Sequence, residues 1–162
     1  MGVVSVRRTV LRTRTLLIAA LVPLAAACGS SGPKPPTHAA FVAQADAICK
    51  TADATIAALP APTAVDSIAA YAAPAATAVR AEYDGLRALR APKGEQAQVD
   101  ALMAEIARVV KVADGLVVVA RTNDGARITA FINANSAVDA HANALAQAFG
   151  LKVCGAPPAA SG

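Results

Sequence analysis

The sequence has few residues of the kinds that build aromatic pockets or metal sites. Among its 162 residues there is no tryptophan, and there are only three phenylalanines, two tyrosines and two histidines. So few rings argue against a wide aromatic-lined pocket. Glu-x-x-His pairs, a CxxCH sequence and phosphate-binding glycine loops are also missing from the sequence. It therefore indicates no metal and no cofactor.

Acidic residues are absent from the first 27 positions, which carry four arginines and then an apolar run from Leu16 to Ala27. This order is typical of a secretory signal peptide. The run is shorter than the roughly 20 apolar residues that span a bilayer. Removing residues 1–27 leaves eleven basic and eleven acidic residues. The excess of positive charge therefore belongs to the targeting segment, and it does not support nucleic-acid binding.

The apolar run closes with Leu24-Ala25-Ala26-Ala27-Cys28, which resembles a bacterial lipoprotein signal. This reading predicts cleavage before Cys28 and attachment of acyl chains such as palmitate, which would anchor the protein to the membrane. The alternative is cleavage near Ala27 to release a soluble protein with a free thiol, a reactive group when exposed. The pair Arg7-Arg8 also matches a twin-arginine export signal, so the export route stays open.

Two cysteines remain once Cys28 is acylated, namely Cys49 and Cys154. In an oxidising compartment they predict a disulfide. Closing a loop of about 105 residues would stabilise the fold by roughly 4 to 5 kcal/mol. A metal site or a redox pair is the alternative, but no further ligand stands near either cysteine in the sequence.

The rest of the chain predicts helices, because alanine is its commonest residue and the best helix former. Apolar residues recur at helical spacing in four segments, about 38–59, 63–92, 95–121 and 125–149. The second keeps its phase through Pro74, which predicts a kink. Residues 117–131 can alternatively form a β-hairpin. We expect an all-α, four-helix up-and-down bundle closed by one disulfide. The domain should span 38–155, after a lipidated Cys and flexible tether at 28–37 and before a disordered tail at 156–162.

Asn135 is the candidate contact residue, because it interrupts the apolar stripe of the fourth helix. A buried amide needs a partner, which would be either a ligand between the helices or a group on a neighbouring helix that fixes register. The histidines point less to function: His38 should be solvated, and His141 should lie at the surface, facing away from Asp139. Two tyrosines of the second helix, at positions 71 and 83, should pack at its boundary.

Four motifs together give the chain a family resemblance: the lipoprotein signal at Cys28, FVAQADAIC at 41–49, LRALRAP at 86–92 and FGLKVCG at 149–155. From Arg7 to Gly155 it resembles small alanine-rich lipoproteins of high-GC Gram-positive (actinobacterial) bacteria. The resemblance implies an envelope location and a disulfide-closed helical fold. It implies no activity and no catalytic residue.

We therefore expect a membrane-anchored lipoprotein on the outer face of the cytoplasmic membrane. Its function would be non-enzymatic, as a binding or accessory subunit for an unknown envelope protein. The alternative is a carrier of a small apolar ligand or lipid held between the helices near Asn135. An enzyme would require the fold to bring His141 beside a carboxylate and a cleft.

Overall fold

The computed structural model describes residues 34–156, which form four helices: α1 (His38–Ala57), α2 (Val65–Arg87), α3 (Gln96–Ala120) and α4 (Gly125–Phe149). These residues contain no strand, so the fold is all-α and the hairpin alternative at 117–131 is wrong. The predicted signal peptide, Cys28, most of the tether and nearly all of the tail lie outside the described residues. None of the described helices has the length and apolar character needed to cross a membrane.

The helix ends are set mainly by side chains close in sequence. The Thr37 hydroxyl accepts a hydrogen bond from the backbone N–H of Ala40, as expected of an N-cap. Asp124 caps α4 in the same way, and Gly150 ends that helix with a φ of 98°. The sequence places Asp66 three residues after Thr63, which predicts a capping box, but this prediction is wrong because the N-cap residue of α2 is Ala64. Instead the Ser67 hydroxyl accepts hydrogen bonds from the N–H groups of Thr63 and Ala64. α2 then runs unbroken through Pro74.

Contacts at the two ends of the bundle establish its up-and-down order. At one end, Nδ1 of His38, the first residue of α1, lies 2.7 Å from Oε2 of Glu95, which immediately precedes α3. The His38 ring also packs on the ring of Phe149 at the end of α4. At the other end the first residues of α2 and α4, Val65 and Gly125, are neighbours. α1 and α3 therefore begin at one end, and α2 and α4 begin at the other. Short connections make this the expected arrangement.

The main core lies in the half of the bundle that contains the start of α1. It consists of buried residues from all four helices and the segment that follows α4, namely Phe41, Ala45, Cys49, Leu86, Val99, Leu102, Ala146 and Leu151. Towards the other end, Val65 and Ile132 are in phase with the apolar residues of α2 and α4, which predicts that both face inward. Val65 is 38% exposed and Ile132 is 49% exposed. These predictions were wrong because the helices leave space between them in the far half of the bundle, so neighbouring side chains cover these two residues less completely.

The segment after α4 is fastened to α1 by two kinds of bond. The structure contains the predicted disulfide between Cys49 and Cys154, whose Cα atoms are 5.2 Å apart. In addition, the Asp46 carboxylate accepts hydrogen bonds from the backbone N–H groups of Lys152, at 3.1 and 3.2 Å, and Val153, at 2.9 Å. Hydrogen bonds to a charged acceptor are stronger than neutral ones. Together these bonds hold Leu151 in the core.

Candidate ligand-binding cleft

A cleft lies between α1 and α4 because these two helices pack against each other much less than consecutive helices do. α2 and α3 form its floor. Small side chains on α2 widen it, since Ala72, Ala75 and Ala76 occupy positions where larger residues would fill the space. α1 also ends at Ala57, ahead of Pro60, and so does not cover the far end. The cleft is thus a consequence of alanine content and of helix length.

The far part of this cleft, which we call the apolar cavity, has a volume of about 480 Å³. Pockets that bind small molecules measure roughly 300 to 1,000 Å³. Its walls come from all four helices and are mostly apolar, with Asn135, Ser136 and Asp139 as polar members. The larger apolar side chains on the walls are Ile56, Tyr71, Val79, Val109, Val112, Leu116, Phe131 and Ile132.

The near part, which we call the acidic cavity, has a volume of about 260 Å³. Carboxylates from three helices line it: Asp53 from α1, Glu82 from α2 and Asp139 from α4. Asp53 and Asp139 are exposed, whereas Glu82 is half-buried. The remaining wall includes the disulfide and the segment after α4. Val79, Val109 and Asp139 border both cavities, so the two cavities adjoin.

Two carboxyl groups of the acidic cavity, those of Glu82 and Asp139, are perturbed by their surroundings. Burial and, to a smaller extent, the nearby charge of Asp53 together raise the pKa of Glu82 to about 7. Partial burial also raises the pKa of Asp139. Within residues 34–156, no basic side chain lines this cavity. Near neutral pH, Glu82 is therefore a desolvated acid without a compensating cation.

Glu82 also lies beside the disulfide, with a carboxylate oxygen within 4.8 Å of the sulfur atoms of Cys49 and Cys154. Three such groups could hold a metal ion if both sulfurs were thiolates. In the disulfide the sulfurs are bonded to each other, so this form of the protein offers only the carboxylate. The cysteines serve here as a covalent wall of the acidic cavity.

A third cavity of about 630 Å³ runs along the outside of the bundle between α1 and α2. Three threonines line it, Thr51, Thr55 and Thr77, and each hydroxyl donates a hydrogen bond to a carbonyl of its own helix. Those hydroxyl protons are thus already used within the helices. Only two helices form this groove, whereas all four surround the cleft. We regard the cleft as the candidate site.

The structure places Asn135, the contact residue expected from the sequence, on the wall of the apolar cavity. Its amide nitrogen donates a hydrogen bond of 2.8 Å to the carbonyl of Phe131 in its own helix. A contact between Asn135 and a ligand stays a prediction. Tyr71 also lines this cavity, whereas Tyr83 lies under Arg87, with 5.9 Å between the guanidinium carbon and the ring centroid.

Both histidines have carboxylate neighbours that the sequence did not indicate. His38 is exposed as predicted, and it also pairs with Glu95 and packs on Phe149. His141 is at the surface as predicted, and its Nδ1 lies 3.3 Å from Oε1 of the buried Glu105. Neither His141 nor Glu105 lines any of the three cavities.

Sequence reasoning missed the acidic cavity, although Asp53, Glu82 and Asp139 were visible as charged residues. A weak signal was present, because Glu82 lies three residues after Val79 and four before Leu86, on the predicted apolar face of α2. Asp53 and Asp139 carry no such signal. Only the packing of α1, α2 and α4 brings the three together.

Comparison of the chain with protein-family models, with curated proteins and with solved structures finds no match. The resemblance to actinobacterial lipoproteins therefore stays a prediction.

Proposed function

We propose that this protein is an exported lipoprotein, anchored through Cys28, whose helical domain binds a small, largely apolar ligand in the cleft between α1 and α4. The function is binding, not catalysis. The ligand occupies the apolar cavity and contacts Asn135. This is the carrier alternative raised by the sequence.

The observation that carries this proposal is the apolar cavity itself. It has about 480 Å³ of space between four helices, while the main core of buried residues lies in the other half of the bundle. Three large apolar side chains are markedly exposed among the described residues, Val65, Val118 and Ile132, and each belongs to a different helix. Ligand binding in the cleft is therefore better supported than docking of a protein on an apolar face.

Filling the cavity tests the proposal. Ala75→Leu places a larger side chain on the cavity wall, whereas Ala73→Leu makes the same change at an exposed position of the same helix. Binding of the neutral fluorescent dye Nile red would be measured on the exported chain carrying Cys28→Ala, which removes the expected acylation site. We expect saturable binding that Ala75→Leu weakens at least about tenfold and Ala73→Leu leaves unchanged. Equal binding by both variants would contradict the proposal.

The anchor is tested separately on the protein isolated from its own membranes. We expect a chain that begins at Cys28 and carries acyl groups, with the mass of one disulfide. Cys28→Ala should move the protein from the membrane fraction to the soluble fraction. A wild-type chain without acyl groups would refute the lipoprotein part of the proposal and leave the ligand-binding part intact.

A further inference from the structure

The two adjoining cavities of the cleft differ in chemistry. The apolar cavity is lined mainly by hydrocarbon, and the acidic cavity presents carboxylates from three helices. Asp139 belongs to both walls and marks the boundary between them. A molecule that fills the whole cleft would therefore meet hydrocarbon at one end and carboxylates at the other.

The charge of the acidic cavity selects among such molecules. Asp53 of α1 and Asp139 of α4 line this cavity as exposed residues, and Glu82 of α2 lines it as a half-buried one. α3 contributes Ile106 and Val109, and Asn143 of α4 is the neutral polar side chain of the wall. Within the described chain no lysine, arginine or histidine lines either part of the cleft. An anionic head group would meet like charges there, whereas a cation would relieve their repulsion.

The raised pKa values of two carboxyl groups also favour a cationic ligand. Desolvation raises the pKa of both Glu82 and Asp139, which means that the cleft stabilises their ionised forms poorly. An ammonium group in the acidic cavity would supply positive charge beside these carboxylates and donate hydrogen bonds to their oxygens.

We propose that the ligand is an amphipathic cation, with a protonated primary amine in the acidic cavity, among the carboxylates that line it, and a hydrocarbon tail in the apolar cavity. This inference rests on the proposed function and names the class of ligand for the same site. The cleft thus recognises charge at one end and apolar surface at the other.

The test compares three probes with the same eight-carbon tail, n-octylammonium, 1-octanol and octanoate, by calorimetry on the exported chain carrying Cys28→Ala. We expect octylammonium to bind at least about tenfold more tightly than octanol, as hydrogen bonds to charged groups would give. Octanoate should bind more weakly than octanol. n-Butylammonium should bind on the order of a hundredfold more weakly than octylammonium, because it buries four fewer methylene groups.

Matched variants connect the selectivity to the carboxylates. Glu82→Gln and Asp139→Asn each remove a negative charge from the acidic cavity. Each should weaken the binding of octylammonium roughly fivefold to tenfold and change the affinity for octanol less than about twofold. Asp84→Asn removes a charge from an exposed position of α2 and should change neither. Octanol binding also reports that the variants retain the folded cleft.

The outcomes separate this inference from the proposed function. If octanol binds as tightly as octylammonium, or if the two cavity variants leave the preference for the cation intact, the inference is overturned and apolar-ligand binding stands. If butylammonium binds as tightly as octylammonium, the site is an ion site only and the inference is again wrong. If neither the octyl probes nor Nile red binds, both proposals fail.

Discussion

Replacing Glu82 with glutamine should stabilise the domain at neutral and higher pH and leave it unchanged near pH 4.5. Burial raises the pKa of this carboxyl from 4.5 to about 7 in the folded protein. Between these values the folded protein retains a proton that the unfolded chain has released. The free energy of unfolding must therefore fall as the pH rises through this window. Glutamine is neutral at every pH, so the variant lacks this contribution.

The size of the effect follows from the pKa difference. A rise from 4.5 to about 7 corresponds to about 3 kcal/mol at most, lost between these pH values. Glu82 is only half-buried, so water screens part of this penalty. We expect Glu82→Gln to raise the free energy of unfolding by about 1 to 2 kcal/mol at about pH 8, and by close to zero near pH 4.5.

Urea unfolding followed by far-UV circular dichroism measures this difference, since the chain has no tryptophan to report by fluorescence. The disulfide should be kept intact in both proteins. Asp84→Asn is the control, because it removes a charge from an exposed position of the same helix. Asp139 also has a raised pKa, so some dependence on pH should persist in the Glu82 variant. Parallel pH profiles for wild type and Glu82→Gln would refute the reasoning, because they would mean that Glu82 ionises in the fold as freely as in water.

Three further predictions concern the structure around the cleft. Replacing both Cys49 and Cys154 with alanine should lower the free energy of unfolding by on the order of 4 kcal/mol, because the bond closes a loop with a sequence separation of 105. Asp46→Ala should lower it by about 2 kcal/mol by removing the charged acceptor of the segment after α4, and exchange of the Val153 amide proton should accelerate. Gly115→Ala should weaken Nile red binding with little change in stability. Its Cβ would lie 2.6 Å from Cζ of Phe131 and displace that ring, while alanine favours the helix by roughly 1 kcal/mol.

Each of these three predictions has its own measurement. Thermal or urea unfolding tests the double cysteine variant, amide exchange tests Asp46→Ala, and dye titration tests Gly115→Ala. A double cysteine variant as stable as the wild type would mean that the disulfide adds no constraint. An unchanged Val153 exchange rate would show that Asp46 does not hold the segment. Nile red binding unaffected by Gly115→Ala would mean that the Phe131 ring is not part of the binding surface.

Most of the fold could be predicted because its signals are local. Thr37, Asp124 and Gly150 act within one turn of the helix ends that they define. The period of 3.6 residues then identifies the helices between them. The apolar residues of α2 keep the same helical spacing before and after Pro74, which predicts one helix. The structure contains one continuous helix across that proline. The pairing of Cys49 and Cys154 followed from their number.

The burial pattern was harder to predict from periodicity. The sequence placed Val65 and Ile132 inside because they are apolar and in phase, yet both are partly exposed. Cys49 follows Ile48 at the edge of the apolar stripe of α1, which predicts incomplete burial, yet Cys49 is only 1% exposed. Periodicity identifies a face of a helix, but it does not say how closely a partner helix covers each part of that face. Here α4 approaches α1 too little for the far half to close.

The sequence by itself determined the four helices, their approximate positions and the disulfide, because each depends on residues near one another or on the count of cysteines. The tertiary structure alone decided that alanines of α2 would line a cavity and that Asp53, Glu82 and Asp139 would share its acidic end. These residues come from different helices, and their proximity depends on the separation of α1 from α4. Spacing along the chain does not encode that separation, because it results from the sum of all side-chain volumes between the helices.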